Sequence, residues 1–284
     1  MKYLLILNPK AGSKNVSELV KKIMLHFKSK FLDILTTKKK GDAIGYAKAS
    51  KHDVIIAAGG DGTVNEIING IMCKKKRPKL AVLPIGTSNQ LAKYLEMPTF
   101  LGQQLDTITN NNTRKLDVGN VNGRFFILGA GFGLDAHAFN TITPEIKKLF
   151  GEIVYPLSMA KAIFEYDPIP LVVEINKNKY IGYYVLVCNI GKYGNFELVK
   201  YAKTHDGLLD VLIFPKKEIP DYIRHFFAIL IQQHYNHDEI IYLKAKKISI
   251  KSEKPFLAHA DAEILDRIKK AEITVKKEAI SVIC

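Results

Sequence analysis

The first third of the chain repeats one grammar: an apolar run, a loop of small residues, then a helical stripe. Tyr3-Leu4-Leu5-Ile6-Leu7 is apolar on both faces, as a buried strand is. It leads through Asn8-Pro9-Lys10-Ala11-Gly12-Ser13 to a helix marked by Val16, Leu19, Val20 and Ile23. The strand pattern of Phe31–Thr37 passes through the polar Lys38–Gly41 to a helix carrying Ala43, Ala47 and Ala49. Val54–Ala58 runs into Gly59-Gly60-Asp61-Gly62, and Leu80–Leu83 into Pro84-Ile85-Gly86-Thr87-Ser88-Asn89, each with a helix behind it. Such units in series imply a parallel sheet with helical crossovers. Ligands of these sheets lie at the carboxyl ends of the strands. Asn8–Gly12, Thr37, Gly60–Glu66 and Gly86–Thr87 should therefore meet around one site, although they are far apart in sequence.

The third loop is the most telling. Val64, Ile67, Ile68 and Ile71 recur at helical spacing directly behind it, so a helix N-terminus offers its unpaired N–H groups to an anion. The glycines admit a ligand close to the main chain. A carboxylate, Asp61, set among amides that attract phosphate suggests a metal-bridged polyphosphate or a reacting hydroxyl. The competing reading is a tight β–α turn with Asp61 as a helix cap. Neither a Walker loop nor the dinucleotide fingerprint is present.

Beyond residue 115 the texture changes. Phe125–Leu128, Leu171–Ile175, Tyr183–Asn189, Leu208–Phe214, Glu239–Leu243, Lys247–Lys251, Ala271–Val275 and Ile280–Ile283 read as strands, with Asn176-Lys177-Asn178-Lys179 as a hairpin connection. Helical patches interrupt at Pro144–Tyr166 and Pro220–Tyr235. The stripe Ile146, Leu149, Phe150, Ile153, Leu157 and Ile163 of the first patch reads as core. The expected organisation is an α/β domain over 1–120 and a mostly antiparallel β domain over 121–277. The last strand, near 278–284, would return to the first domain, and the site would lie in the cleft between the two.

Bulk properties narrow the partners. The 284 residues are 47% hydrophobic and 25% charged, a globular composition. The formal net charge of +14 predicts attraction to polyanions. Its clusters, Lys38-Lys39-Lys40, Lys74-Lys75-Lys76-Arg77 and Lys244-Ala245-Lys246-Lys247, carry no interleaved aromatics, so nucleic acid is not expected. No apolar run approaches the ~20 residues that span a bilayer, and Asn8-Pro9-Lys10 cuts off the signal-like start. Cys73, Cys188 and Cys284 lack metal-ligand spacing, and a reduced cytoplasm is expected.

Taken together, the motifs resemble the diacylglycerol kinase-type lipid kinases, a family that includes bacterial diacylglycerol kinases, sphingosine kinases and ceramide kinases. The resemblance rests on Asn8-Pro9-Lys10-Ala11-Gly12, Gly59-Gly60-Asp61-Gly62-Thr63-Val64-Asn65-Glu66 and Pro84-Ile85-Gly86-Thr87-Ser88-Asn89. It continues through Asp117-Val118-Gly119, Gly129–Gly133, Asn189–Gly194, His205-Asp206-Gly207-Leu208-Leu209-Asp210 and Asp261-Ala262-Glu263, in family order over nearly the whole chain. It implies a three-layer α/β nucleotide-binding domain like that of NAD kinases, followed by a β-sandwich. Its activity would be transfer of the ATP γ-phosphate to a lipid hydroxyl, most simply diacylglycerol to phosphatidic acid, with Mg²⁺.

Carried over position by position, the resemblance implies that ATP is held by Asn8, Pro9, Lys10, Ala11, Gly12, Thr37, Gly60, Asp61, Gly62, Thr63, Val64, Asn65, Glu66 and Thr87. Asp61, Asp117 and Glu263 become the catalytic carboxylates, Glu263 as general base. Asp206, with the carbonyls of Lys203 and Leu208, becomes the ligand set of a second, structural Mg²⁺. The lipid would be met at an anionic membrane surface, and homodimerisation stays open. Two departures touch this pattern. Gln90 stands where relatives often have aspartate, and Ala262 stands where bacterial members have glycine, which would strain the backbone if positive φ is needed. They leave room for a nucleotide-binding lipid sensor that has lost catalysis. An NAD kinase-like enzyme is the third reading, opposed by the second glycine loop and by Asp206-Gly207.

Overall fold

The computed structural model describes residues 1–12, 15–27, 31–143, 146, 151–193, 196–200, 202–232 and 239–284. The chain forms two compact units, Met1–Leu116 with Glu278–Cys284, and Asp117–Lys277.

In the first unit β1 (Tyr3–Leu7), β2 (Leu32–Thr36), β3 (Val54–Gly59) and β4 (Lys79–Pro84) pair in parallel in the order β4-β3-β1-β2. The crossovers carry α1 (Val16–His26), α2 (Asp42–Ala49) and α3 (Asp61–Met72); α4 (Gln90–Tyr94) and α5 (Leu101–Asn110) follow β4. β1 and β3 are buried along their whole length, as all-apolar strands covered on both faces must be. The Asn15 side chain accepts the N–H groups of Ser17 and Glu18 and so starts α1, which buries Leu19 and Ile23. α3 buries the stripe of Val64, Ile67, Ile68 and Ile71. The chain end returns here, with Val282 beside Leu80 of β4 in parallel register. β1 has β2 on one side and β3 on the other, so the crossovers diverge at the β1/β3 boundary, the switch point of such sheets.

The chain passes between the units within β5 (Thr113–Val121) and again within β16 (Glu263–Ile283). In the second unit β14 (Ile241–Ala245), β13 (Leu209–Phe214), β10 (Tyr184–Cys188), β7 (Gly129–Gly133), β15 (Lys247–Ala260) and β16 neighbour one another in that order, each pair antiparallel. β8 (Leu171–Ile175) and β9 (Asn178–Gly182) extend from β15, and β6 (Arg124–Phe126) pairs with β5. The short β11 (Lys192–Tyr193) and β12 (Phe196–Glu197) form a separate ladder. β10 and β13 lie between two cores, and their period-two alternation divides them. Val185, Val187, Val211 and Ile213 join Phe126, Phe132 and Phe256 on one face. Tyr184, Leu186, Leu212 and Phe214 face the other, under α6 (Leu134–Asn140), α7 (Val154–Glu165) and α8 (Ile219–Leu230).

Three readings of the sequence need correction. Lys247–Lys251, Ala271–Val275 and Ile280–Ile283 are parts of two long strands, β15 and β16, joined by Asp261-Ala262. Their register shifts between Lys251 and Phe256, where Pro255 has no N–H to give the ladder. The strand proposed to reach Leu128 ends at Phe126. The stripe read as core is divided: Ile163 is buried, whereas Ile146, Ile153 and Leu157 are 40%, 67% and 55% exposed. Leu149 and Phe150 lie outside the described residues, as does the end of the second helical patch at 233–235.

Candidate active site

At the carboxyl edge of the first unit's sheet the glycine loops close on one another. A Cβ on Gly86 would lie 2.5 Å from Cα of Gly60, and one on Gly12 would lie 2.1 Å from the carbonyl oxygen of Ile85. Only glycine permits these backbone approaches. The Asn8 N–H bonds the Ala58 carbonyl at 2.9 Å, and its Nδ2 donates to Thr63 Oγ1 at 3.1 Å. The Asn8 Oδ1 accepts the Lys10 N–H, which shapes the Pro9–Ala11 turn. Thr37 joins through its N–H, 2.8 Å from the Leu7 carbonyl.

Asp61 is the first residue of α3, with Gly60 as the cap, and its Oδ1 accepts the Gln90 N–H at 2.6 Å. The Asp61 carboxylate thus ties the Gly59–Gly62 loop to the end of the Pro84–Asn89 loop, which a simple helix cap would not do. Gly62 and Thr63 follow in the first turn of α3, and Thr87 is exposed on the Pro84–Asn89 loop. Three residues of the expected ATP set turn away. Val64 and Asn65 are buried in α3, with Asn65 Oδ1 accepting from Asn69 Nδ2. The Glu66 carboxylate accepts the N–H groups of Gly41 and Ala43 and thereby caps α2.

In the second unit Asp117 is fully buried. Its Oδ2 accepts the Gly207 N–H at 2.6 Å and its own N–H bonds the Thr204 carbonyl, so it organises the 204–208 loop. Asp206 Oδ1 accepts the Leu208 N–H within the loop, and Lys244 Nζ lies 3.9 Å from Asp206 Oδ2. One carboxylate and the carbonyls of Lys203 and Leu208 are hard-oxygen donors of the kind Mg²⁺ takes. The Lys244 ammonium, however, competes for the same charge.

Glu263 opens β16 directly after a two-residue turn in which Asp261 and Ala262 have φ of 50° and 64°. Ala262 thus occupies the left-handed region that its replacement of glycine made the concern. The Asp261 carboxylate is buried and accepts the N–H groups of Ile127, Leu128 and Gly129 at 2.8, 2.8 and 3.1 Å. Those bonds end β6 and peg the hairpin to the start of β7.

Sequence reasoning missed the polar cluster behind this turn. His259 Nδ1 accepts the Ala262 N–H at 3.2 Å, so Nε2 carries the ring proton and donates it to Asp135 Oδ2. Asp135 Oδ1 accepts the Tyr155 hydroxyl at 2.6 Å. Asp135 and His259 are both almost wholly buried. The signal was present as a histidine inside the apolar run Phe256-Leu257-Ala258-His259-Ala260, and as an aspartate two residues after the Gly129–Gly133 motif.

Beside the cluster lies an apolar cavity, part of it open to solvent, lined by Leu134, Tyr155, Met159, Ile163, Tyr222 and Phe226 among others. Burial pushes the Tyr222 phenol pKa up, and its hydroxyl meets no hydrogen-bond partner among the described residues.

Known proteins carry the same two parts. Residues 2–121 match the diacylglycerol kinase catalytic domain, and residues 129–284 match the YegS C-terminal NAD kinase beta sandwich-like domain. The chain is 30% identical over 268 residues to a diacylglycerol kinase of Bacillus subtilis (strain 168), covering 91% of this chain and 88% of that protein. It is 34% identical over 235 residues to a diacylglycerol kinase of Staphylococcus aureus (strain JH9), covering 80% and 74%. A crystal structure of a Bacillus anthracis (strain Sterne) diacylglycerol kinase superimposes with a TM-score of 0.75 at 27% identity, covering 99% of this chain and 96% of that one. The chain is therefore a kinase and belongs to the diacylglycerol kinase family.

Proposed function

We propose that this kinase transfers the γ-phosphate of ATP to the hydroxyl of diacylglycerol at the surface of an anionic membrane. The observation that carries a lipid acceptor is the apolar cavity of the second unit. It lies among the helices and strands of that unit and is partly open to solvent. It is walled by aliphatic and aromatic side chains, which suit an acyl chain rather than a sugar or nucleotide. The names of the relatives supply diacylglycerol as the acceptor to test first.

The nucleotide reading is supported by the loops at the β1/β3 switch point, whose backbone N–H groups suit phosphates. ATP would be held by Asn8–Gly12, Thr37, Gly60–Thr63 and Thr87. The side chains of Val64, Asn65 and Glu66 serve the helix packing behind the loops. Among the described residues no group of three His, Cys, Asp or Glu side chains could hold a metal by itself. A cation there would share its ligands with phosphate and water, as Mg²⁺ does. When bound, Mg²⁺ neutralises phosphate charge. Asp61 and Asp117 are the carboxylates proposed to orient that assembly, and Glu263 takes the proton of the attacking hydroxyl.

Lys203, Asp206 and Leu208 are proposed for a second, structural Mg²⁺ that carries no part of the reaction. A Mg²⁺-dependent rise in melting temperature that Asp206→Asn abolishes would support it, and no such rise would remove it.

Attraction to the membrane has two sources: the +14 charge and the exposed Ile153, Leu157 and Phe164 in and next to α7. No helix among the described residues is long and apolar enough to cross a bilayer, and the reading places the enzyme on the cytoplasmic surface. The test is Glu263→Gln. It should leave ATP binding intact and abolish lipid phosphorylation, whereas unchanged turnover would remove Glu263 from the chemistry.

A further inference from the structure

We propose that Tyr155, Asp135 and His259 are positioning residues that set the hairpin bearing Glu263 according to whether the apolar cavity is filled. The inference rests on the reading of Glu263 as the base and of the cavity as the lipid site.

The connection is continuous. The Ala262 N–H, one residue before Glu263, donates to His259 Nδ1. His259 Nε2–H donates to Asp135, and the other Asp135 oxygen accepts the Tyr155 hydroxyl. Each group has a direction imposed by the next. Because Nδ1 accepts from a backbone amide, the ring proton belongs on Nε2; because Nε2 donates, Asp135 is held as the acceptor. The fold makes room for the pair at one point. A Cβ on Gly131 of β7 would lie 2.0 Å from Asp135 Oδ2 and 2.4 Å from His259 Nε2, so no other residue fits between them and the sheet. Phe139 packs edge-on against the His259 ring and stacks on Tyr155, which fixes both planes.

The chain of contacts has one end outside the hairpin. Tyr155 lies on α7 and lines the cavity together with Met159 and Ile163 of the same helix. It also lines the small space around Asp135, His259, Cys188 and Leu198. Its ring therefore meets whatever fills the cavity, while its hydroxyl holds the carboxylate that orients His259. The Asp261 side chain holds one side of the turn to the start of β7, and the single bond of the Ala262 amide to His259 ties the other side to the cluster. A buried polar cluster with all members satisfied specifies one arrangement, and loss of one member frees the rest. No proton is transferred along it. Its effect is on where the Glu263 carboxylate stands, and a small misplacement of a catalytic group costs much of its rate.

The experiment compares wild type, Tyr155→Phe, Asp135→Asn and Glu263→Gln with dihexanoylglycerol, a soluble short-chain diacylglycerol, as the probe. Without ATP, amide exchange at Ala262 is followed by mass spectrometry as the probe is added. In the wild type the probe should slow that exchange several-fold. In Tyr155→Phe, which removes only a hydroxyl, the probe should bind with similar affinity and leave exchange unchanged. With ATP, the same variant should lose about tenfold in kcat with its KM for ATP unchanged. Asp135→Asn, if folded, should behave likewise. A Tyr155→Phe protein with wild-type exchange response and kcat, beside an inactive Glu263→Gln, overturns the positioning role alone. Failure of dihexanoylglycerol to bind, or full turnover in Glu263→Gln, overturns the lipid-site or base reading on which the role depends.

Discussion

Asp61 Oδ1 accepts the backbone N–H of Gln90 at 2.6 Å, so one carboxylate fastens the start of α3 to the start of α4. Since the donor is main chain, the glutamine that stands where relatives often have aspartate does not disturb the bond. Structure and chemistry at Asp61 can therefore be separated. Asp61→Asn keeps an oxygen for the Gln90 N–H and should change stability little, while phosphate transfer falls by about two orders of magnitude. Asp61→Ala should lose activity to a similar extent and also about 1 kcal/mol of stability. Melting curves and initial rates on the three proteins check this. Full activity in Asp61→Asn would leave Asp61 a purely structural role.

The hairpin before Glu263 carries strain and anchorage side by side. Ala262 at φ 64° occupies a region that costs an L-residue about 1 kcal/mol. Ala262→Gly should raise stability by up to about 1 kcal/mol and spare activity. Asp261→Ala leaves three amides without their acceptor and should cost about 3 kcal/mol or more. Denaturant midpoints measure both. A destabilised Ala262→Gly would mean that the alanine methyl contributes packing that outweighs the strain.

How far the sequence alone could lead depended on the range of the interactions. β1, β3, α1 and α3 follow from local pattern, because an all-apolar run and a helical stripe each need only near neighbours. The convergence of Asn8, Gly60 and Gly86 followed from the parallel order. The roles of Asp261 and His259 did not, because their partners lie far away in sequence, at Ile127–Gly129 and Asp135. Strand lengths in the second unit were underestimated for a related reason: β15 and β16 are half-polar ribbons whose pairing, and not their hydrophobicity, sustains them. The stripe through Ile153 and Leu157 misled because helical spacing reports that one face is apolar, not what covers it.

The exposure of Leu157 and Phe164 gives a prediction about surfaces. Binding to vesicles containing phosphatidylglycerol should weaken steeply as NaCl rises, since the attraction is set by the +14 charge. Leu157→Glu together with Phe164→Glu should weaken it further at every salt concentration without lowering the melting temperature, because both side chains are more than half exposed. Co-sedimentation measures this. Salt-independent binding would contradict the electrostatic part, and unaltered binding of the double variant would contradict the apolar part.

The most direct test of the central claim is transfer of labelled phosphate from ATP with Mg²⁺ to mixed micelles of diacylglycerol, phosphatidylglycerol, sphingosine or ceramide, with NAD in parallel. The account predicts a labelled phosphatidic acid from diacylglycerol that disappears in Asp61→Asn and in Glu263→Gln. Label in NAD alone, or no labelled lipid from a protein that still binds ATP, would contradict it.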